Sequence, residues 1–329
     1  MNSCDHILNA LPGAADHAPQ ALGDRFFHAI SWFAAVAVLF VLGAIIVMLY
    51  LGAQPAFEKF GFFQFLTTSE WNPVTEMFGG LSPLVGTLVS SAIAILIGLP
   101  VSFGIALFIT EMAPPWLKRP VGTAIELLAA IPSIIYGMWG LFVFAPFFAD
   151  HIQPLLTDTL GNLPLIGNLF QGPPLGISVF TAGIILAIMI IPFISSVMRD
   201  VFETVPTELR ESAFGIGSTT WEVVWHVVLP LTKVGVMGGI MLGLGRALGE
   251  TMAVTFVIGN AHELHAALFE PGNSIASTIA NEFTEADGEV YTASLIALGL
   301  ILFIITFIIL ALAKVMLLRM AARQDGHQA

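Results

Sequence analysis

The sequence predicts an all-α integral membrane protein with six spanning helices and both termini on one side of the membrane. Of the 329 residues, 57% are hydrophobic and only 10% are charged. A soluble domain carries about 25% charged residues, so a chain this poor in charge cannot cover a surface that faces water. Long alternation of apolar and polar residues is missing from the sequence, which argues against a membrane β-barrel.

Apolar runs define the individual spans, because a helix needs about 20 residues to cross about 30 Å of hydrocarbon. The runs predict spans over 29–51, 84–110, 121–148, 177–197, 234–258 and 293–317. Pro100, Pro132 and Pro192 lie inside predicted spans. Each removes a backbone hydrogen bond and therefore predicts a kink, with a hinge as the alternative.

Lysine and arginine placement predicts the orientation, since these residues concentrate on the cytoplasmic side. If both termini lie in the cytoplasm, the cytoplasmic side contains Arg25, Lys118, Arg119, Arg199, Arg210, Lys233, Lys314, Arg319 and Arg323. The opposite loops are acidic and contain a single basic residue, Lys59. We therefore expect a polar cytoplasmic tail over 1–24, a transmembrane domain over 25–320 and a cytoplasmic tail over 321–329. The first tail lacks the basic start of a signal peptide.

The stretch between the fourth and fifth predicted spans is the most informative part of the chain. Residues 211–230 read ESAFGIGSTTWEVVWHVVLP. Proline near a first helical position predicts that a short helix opens at Val205–Glu208. Gly215 and Gly217 are expected to end this helix in a sharp turn.

A second short helix is predicted after that turn. Thr219 followed three residues later by Glu222 forms the pattern of a capping box. The helix is expected over 220–229, and Pro230 is expected to stop it. The whole segment would be a rigid helix–turn–helix at the membrane surface, although an ordinary amphipathic surface loop remains the alternative.

Two ionisable residues lie inside the fifth predicted span, in the sequence GLGRALGETMAV. Arg246 and Glu250 are four residues apart and would share one helix face. Arg246 follows Pro230 by about 16 residues, so it would lie about 24 Å along the helix at 1.5 Å per residue. Ionisable groups at such depth are costly and typically functional, and arginine binds oxyanions through forked hydrogen bonds. Glu250 would hold Arg246, neutralise it between transport events or act as its gate partner, unless the two form a purely structural pair.

Other features of the spans predict packing contacts. Gly235, Gly239 and Gly243 recur at four-residue spacing, which favours close approach of a neighbouring helix. Glu126, about one turn inside the third span, is expected to pair with Lys118 or Arg119 or to contact the fifth span. His262 and His265 stand near acidic residues in the loop 261–292. No metal site is predicted there, because Pro271–Gly272 separates the candidate ligands and the only cysteine is Cys4.

The segment 211–230 resembles the EAA loop of bacterial ABC importer permeases, which docks onto an ATP-hydrolysing partner. The residues that carry this resemblance, and the coupling role it implies, are Glu211, Ser212, Ala213, Gly217, Leu229 and Pro230. Ser212 stands where alanine is usual, and its small side chain preserves the pattern. Together with the segments 70–91, 126–137 and 245–260, the loop makes most of residues 70–318 similar to phosphate ABC importer permeases of the PstC type.

This resemblance implies a type I importer-like fold of six transmembrane helices with cytoplasmic coupling helices. It implies a heterodimer with a PstA-type permease, two copies of a cytoplasmic ATPase and a periplasmic phosphate-binding protein, all at the bacterial inner membrane. Arg246 and Glu250 match the arginine and glutamate that are implicated in phosphate transport in this family. A sensor-kinase signalling system is a further partner that the resemblance suggests.

The chain itself is not expected to be an enzyme. A phosphate-binding P-loop needs glycine immediately before lysine, whereas the four lysines follow Glu, Leu, Thr and Ala. ATP and Mg are therefore expected on the partner ATPase, with no cofactor on this chain. Two alternatives stay open: import of another oxyanion such as molybdate, sulfate or phosphonate, and a membrane scaffold that signals phosphate status. Glu282, Glu285 and Asp287 are hypothesised to pair with basic residues of the binding protein.

Overall fold

The computed structural model describes residues 22–164 and 167–325. Six helical runs in these residues are long and apolar enough to cross a membrane, which confirms the predicted number of spans. The runs are Phe26–Phe60, Leu81–Met112, Ser133–Leu160, Val179–Glu203, Thr220–Gly249 and Glu289–Arg319. Most of the predicted N-terminal tail, 1–21, and the end of the predicted C-terminal tail, 326–329, lie outside the described residues.

Contacts divide the chain into two units, residues 1–51 and 52–329. Helix α1 (Leu22–Phe60) supplies the described part of the first unit and enters the second. Its large apolar side chains between Phe26 and Leu51 are mostly exposed. That exposure suits a helix whose surroundings are lipid rather than water.

The second unit contains the remaining elements. Up to the third span they are α2 (Phe62–Thr67), β1 (Trp71–Asn72), β2 (Met77–Phe78), α3 (Leu81–Leu107), a π-helical turn (Phe108–Met112) and α4 (Pro115–Ala129). The third span joins α5 (Ser133–Trp139), α6 (Ala145–Phe147) and α7 (Gln153–Leu160) through π-helical turns at Gly140–Phe144 and Phe148–Ile152. A 3-10 turn (Gly167–Phe170) precedes the fourth span, α8 (Val179–Glu203).

The last third of the chain begins with two short helices beyond α8. The elements are α9 (Thr207–Gly215), α10 (Thr220–Val223), a π-helical turn (Val224–Val228), α11 (Leu229–Gly249), α12 (Met252–Val257), α13 (Ile275–Glu282) and α14 (Glu289–Asp325). Helices α10 and α11 and the turn between them form one continuous helical run.

Helix α8 forms the centre of the core and is the most buried of the spans. The glycines of α11 pack against it as predicted. A Cβ atom at Gly235 would lie 2.5 Å from Val201, and one at Gly243 would lie 2.4 Å from Ile194. Glycine at these positions therefore allows the two helices a close, antiparallel approach.

The predicted third span, 121–148, begins too early. Helix α4 ends at Ala129, and Pro132 is the N-cap of α5 rather than a residue inside a span. A proline lacks the backbone donor and disfavours helical geometry in the residue before it. The apolar run is thus two helices, and the spanning part starts at Ser133.

The predicted fifth span, 234–258, differs at both ends. Pro230 does not stop the preceding helix, because it occupies the first turn of α11, just after a π-helical turn, where a proline is tolerated. At the other end the helix is interrupted: Glu250 has extended backbone angles, φ −71° and ψ 128°, and α12 starts two residues later.

The antiparallel hairpin of β1 and β2 was not predicted. Trp71 pairs with Phe78 and Asn72 with Met77 across a turn that holds Glu76 at a positive φ of 50°. Each strand is two residues long, which is too short for an alternating pattern to be recognised.

Candidate functional site

The segment between α8 and α11 exposes a set of large apolar side chains. They are Leu209, Phe214, Ile216, Trp221 and Trp225. Ile216 is 86% exposed, and the two tryptophan rings contact each other edge to face with centroids 5.3 Å apart. A groove of about 390 Å³ lies beside them, lined by Ala213, Gly217 and Val227 among others. Clustered apolar exposure of this kind marks a surface that contacts another protein or the membrane.

The turn between α9 and α10 has the predicted geometry. Gly217 has φ +92°; its N–H donates to the Phe214 carbonyl, and the Ser218 N–H donates to that of Ala213. These two bonds form a Schellman motif, which favours glycine at the residue with positive φ. The predicted capping box is also present, with Glu222 accepting from the Thr219 N–H at 2.8 Å.

The two polar residues of the EAA-like pattern behave differently. The Ser212 hydroxyl donates to the Glu208 carbonyl at 2.7 Å, so its donor is used within its own helix although the residue is exposed. Glu211 is exposed and makes no hydrogen bond or ion pair within the described residues. Its carboxylate is therefore free to meet a partner.

Arg210 ties the loop to two spans, a contact that the sequence did not reveal. Its Nη2 donates to the Phe202 carbonyl at the end of α8, at 2.7 Å. The same nitrogen lies 3.1 Å from Glu111 Oε1, in the π-helical turn that ends the second span. The Glu111 and Arg210 side chains are only 5% and 17% exposed. The Glu111 contact joins residues far apart in sequence, so no local pattern indicated it.

Arg246 lies in the last turn of α11, near mid-depth of the helices. Its Cζ is 5.8 Å from the centroid of the Phe193 ring, which is a cation–π distance. Phe193 is close to the middle of α8 (Val179–Glu203). The C-terminal end of a helix favours a cation, so α11 itself helps to stabilise the guanidinium at this depth.

Glu250 does not share a helix face with Arg246, contrary to the prediction. Helix α11 ends at Gly249, and no Arg246 nitrogen lies within the 4.0 Å of a Glu250 oxygen that would make an ion pair. Glu250 Oε1 instead accepts from the Ala253 N–H at 3.4 Å. The chain thus places two separate ionisable groups beside an interrupted helix. Interrupted backbone at membrane depth is tolerated only inside protein or along a water-filled cavity.

Tyr136 is a third polar group near this interruption, and the sequence analysis missed it. Its hydroxyl donates to the Leu128 carbonyl at 2.9 Å, across the break between α4 and α5. The Arg246 guanidinium is close enough to act electrostatically on the phenol. The neighbouring Gly137 packs on α12, where a Cβ atom would lie 3.0 Å from Ala253 Cα. Helix α5 therefore packs on α12 through Gly137, and its Tyr136 lies within electrostatic reach of Arg246.

One end of the bundle, which we call the basic end, carries Lys118, Arg199 and Arg210. Glu126 accepts from Arg199 Nη2 at 2.8 Å, so it pairs with the fourth span and not with Lys118, Arg119 or the fifth span. Lys118 Nζ donates to the Thr110 carbonyl at 2.6 Å. These contacts fasten α4 to the second and fourth spans.

The other end, which we call the acidic end, carries the hairpin and α13. Glu282 accepts hydrogen bonds there from Trp71 at 2.6 Å and Tyr291 at 2.8 Å and lies 2.6 Å from His262 Nε2. Burial alone would raise the pKa of the Glu282 carboxyl, but the hydrogen bonds from His262, Tyr291 and Trp71 outweigh it and lower that pKa. Its side chain is 15% exposed, so Glu282 holds this end together and is unavailable for the hypothesised contact with a partner, unlike the exposed Glu285 and Asp287.

Comparison with known proteins identifies similar chains over nearly the whole length. A family model described as binding-protein-dependent transport system inner membrane component matches residues 98–321. The phosphate transport system permease protein PstC of Mesorhizobium japonicum is 59% identical over 325 residues, covering 98% of this chain and 99% of that protein. The protein of the same name from Pasteurella multocida is 58% identical over 92% of this chain and 93% of its own. The probable PstC of Methanocaldococcus jannaschii is 37% identical over 84% and 88%.

Solved structures share the fold at lower identity. A chain of a bacterial ABC transporter involved in the import of the acidic polysaccharide alginate aligns with a TM-score of 0.56 and 20% identity, covering 90% of this chain and 99% of that one. A chain of the alginate transporter in complex with a periplasmic protein gives 0.56 and 21%, covering 88% and 94%. The fold is that of an ABC importer permease, as the sequence predicted.

Proposed function

The chain belongs to the family of binding-protein-dependent transport system inner membrane components and, within it, to the phosphate transport permeases of the PstC type; on this basis we propose that it is the transmembrane permease subunit of an ATP-driven importer of inorganic phosphate. The observation that carries the proposal is 59% identity over 98% of the chain to a phosphate permease. Arg246 beside the interrupted helix supplies the chemistry, because a guanidinium binds a tetrahedral oxyanion through paired, charge-assisted hydrogen bonds.

The substrate pathway runs past Arg246 and Glu250. The helix interruption at Gly249–Glu250 supports this, since a polar break at membrane depth needs protein or water around it. Arg246 is a transient contact for the anion rather than one half of a fixed intrahelical pair.

The loop from Val205 to Pro230 is the site where ATP hydrolysis is coupled to transport. Its exposed apolar residues and the free Glu211 carboxylate support docking of a cytoplasmic ATPase. ATP and Mg are bound by that partner. Two ATPase copies close on ATP binding and displace this loop together with the equivalent loop of a PstA-type permease.

The displacement reaches the spans by three connections. Arg210 links the loop to the end of α8 and, through Glu111, to the second span. The helical run Thr220–Gly249 carries the motion without a break to Arg246. A helix transmits force well because its backbone hydrogen bonds keep it stiff, so moving the loop moves the anion site.

The complex lies in the bacterial inner membrane with both termini of this chain in the cytoplasm. The side-specific distribution of Lys and Arg supports that orientation. The acidic end then faces the periplasm, where a phosphate-binding protein delivers the anion in a closed contact. Such delivery explains how an anion passes an acidic surface that would slow its free diffusion. A sensor kinase that responds to the loaded or empty complex is a further partner.

The test is uptake of labelled phosphate into vesicles that contain the assembled complex, with binding protein outside and ATP inside. We expect ATP-dependent uptake that excess arsenate suppresses and that excess sulfate or molybdate does not. ATP hydrolysis stimulated by the binding protein without phosphate uptake would instead assign the importer to another oxyanion. Failure of an ATPase to co-purify would favour the signalling scaffold.

A further inference from the structure

A cavity of about 300 Å³ lies at the basic end, between α4 and the end of α8. Its lining carries charges of both signs. The charged and polar lining residues are Lys118, Arg119, Thr123, Glu126, Arg199 and Glu203. None of them belongs to the loop from Val205 to Pro230 or to the fifth span, so the proposed transport mechanism leaves this cavity unassigned.

The walls of the cavity are held in place by contacts within the chain. Lys118 Nζ donates to a backbone carbonyl at the end of the second span at 2.6 Å, and two further N–H donors of the ammonium group remain. Arg199 Nη2 lies 2.8 Å from both Glu126 and Asp200, so its charge is already compensated. Gly122 makes room for this guanidinium, because a Cβ atom there would lie 2.6 Å from Nη1.

The charges that are left to meet a ligand stand on two different elements. Lys118 and Arg119 are in the first turns of α4, and Glu203 is the last residue of α8. All three line the same cavity, but no ion pair within 4.0 Å joins either cation to Glu203 in the described part of the chain. The cavity therefore presents a cationic wall and a separate carboxylate, which is the complement of a zwitterion.

Apolar side chains beside the cavity indicate that it opens towards lipid. Trp116, Arg119, Thr123 and Leu127 recur at three- and four-residue spacing and thus share one face of α4. Trp116 is 75% exposed and Leu127 is 66% exposed. Tryptophan is enriched where hydrocarbon meets the head groups, and a helix that combines such apolar residues with cations is typical of that boundary. The mouth of the cavity is therefore at the level of phospholipid head groups.

We infer that this cavity binds the head group of phosphatidylethanolamine. The phosphate accepts hydrogen bonds from Lys118 and Arg119, and the ammonium group donates to Glu203. Charge-assisted hydrogen bonds of this kind are stronger than those between neutral groups. The acyl chains extend past the exposed Leu127. This inference concerns a lipid and goes beyond the proposed transport of phosphate.

Two other sources of a phosphate group fit the cavity less well. Phosphatidylglycerol offers the same phosphate to Lys118 and Arg119, but its head group carries no cation for Glu203. Inorganic phosphate also lacks the ammonium group, and it has no acyl chains to cover the apolar side chains on α4. The carboxylate in the lining therefore predicts a preference for the zwitterionic lipid over both anions.

The experiment titrates the delipidated complex of both permeases and the ATPase in detergent with dioleoyl phosphatidylethanolamine or dioleoyl phosphatidylglycerol, and native mass spectrometry counts the bound lipids. Arg119→Gln is expected to weaken binding of phosphatidylethanolamine by about fivefold, the effect of about 1 kcal/mol for one basic residue at a membrane surface. Arg319→Gln, at an exposed arginine near the end of α14, is the matched control and should bind like wild type.

A second variant tests the carboxylate. Glu203→Gln should lower the preference for phosphatidylethanolamine over phosphatidylglycerol, because the cavity loses its partner for the ammonium group. Glu208→Gln, an exposed change outside the cavity, should keep the wild-type preference. Bound phosphatidylethanolamine should also raise the unfolding temperature of the wild-type complex, and this increase should be smaller in Arg119→Gln.

Equal binding of phosphatidylethanolamine by wild type, Arg119→Gln and Arg319→Gln would overturn the inference. So would a wild-type complex that binds phosphatidylglycerol as tightly, which would indicate attraction to any anionic lipid. Displacement of the bound lipid by excess inorganic phosphate would assign the cavity to the free anion instead. Phosphate uptake does not enter these measurements, so failure of the proposed function is a separate result.

Discussion

Arg210, in the first short helix after α8, lies 3.1 Å from Glu111 at the end of the second span, and both side chains are largely buried. Glu111 Oε1 and Arg210 Nε are buried without a hydrogen-bond partner in the described part of the chain. The attraction between the charges is therefore offset by incomplete hydrogen bonding, and the net contribution of the pair to stability is small. Its value lies in fixing the loop to the span.

The effects of mutating Glu111 and Arg210 on stability should therefore be strongly non-additive. Glu111→Gln or Arg210→Met alone leaves one buried charge uncompensated, which costs about 3–5 kcal/mol. The double variant removes both charges and is expected to be closer to wild type in thermal unfolding of the detergent-solubilised complex. Glu208→Gln, an exposed change on the same helix, serves as the control. Additive losses in the double variant would contradict the account.

Ile216 is the most exposed of the large apolar side chains in the loop, at 86%. Ile216→Asp is expected to lower the amount of ATPase that co-purifies with the permease, because a charge would be forced against an apolar partner surface. Unfolding temperature should stay unchanged, since the side chain makes few contacts within this chain. Val74→Asp, at a site 92% exposed in the hairpin turn, is the matched control; equal ATPase recovery from both variants would argue against the loop as the docking site.

The hydrogen-bonded Glu282 carboxylate is expected to make the stability of the protein fall at acidic pH. Its lowered pKa means that the unfolded chain takes up the proton first as pH falls. The stabilisation is therefore complete above the ordinary glutamate pKa of about 4.3 and is lost as pH falls further, through the pKa of the folded state. Glu282→Gln should be less stable than wild type at neutral pH, and the difference should shrink below about pH 4.3. Glu285→Gln, which changes an exposed carboxylate, should give a pH profile like that of wild type.

Substitution of Gly137 tests the contact between α5 and α12. A Cβ atom there would lie 3.0 Å from Ala253 Cα and 3.1 Å from the Met252 carbonyl. These are backbone atoms that cannot rotate away, so Gly137→Ala should cost about 1–3 kcal/mol of stability and reduce phosphate uptake. Gly104→Ala, at a helical position with open space around it, should instead be neutral or stabilising by up to about 1 kcal/mol. Equal effects of the two changes would contradict this assignment.

Hydropathy was sufficient to predict the number of spans and the fold class, because each spanning helix needs an apolar run long enough to cross the hydrocarbon of the membrane. It could not position the ends of the third span, since the run from Val121 to Ile135 is apolar on both sides of the helix break. Pro132 is the available sequence signal, because it marks the start of α5 and not a kink inside one helix. The amphipathic start of α4, opened by Pro115, was a second signal.

The sequence gives a weaker signal for the helix interruption at Glu250 than for the break before the third span. Only Gly249 precedes it, and a lone glycine is tolerated inside many membrane helices. The four-residue spacing of Arg246 and Glu250 therefore suggested one continuous face that the chain does not form. Ion pairs such as Glu126 with Arg199 join residues far apart in sequence, and composition alone offers several equivalent partners for each charge.

The most direct test of the central claim compares phosphate uptake by vesicles that contain wild-type, Arg246→Gln and Arg319→Gln complexes, each with ATPase bound and binding protein supplied. Glutamine at 246 removes the forked cation but keeps a side chain of similar length, while Arg319 is an exposed arginine near the end of α14. We expect the Arg246→Gln complex to assemble and to hydrolyse ATP, but its phosphate uptake should fall by at least about 100-fold. Loss of a charge-assisted contact of about 3 kcal/mol corresponds to that factor. Arg319→Gln should transport normally. Wild-type uptake by an assembled Arg246→Gln complex would contradict the claim that the anion passes this residue.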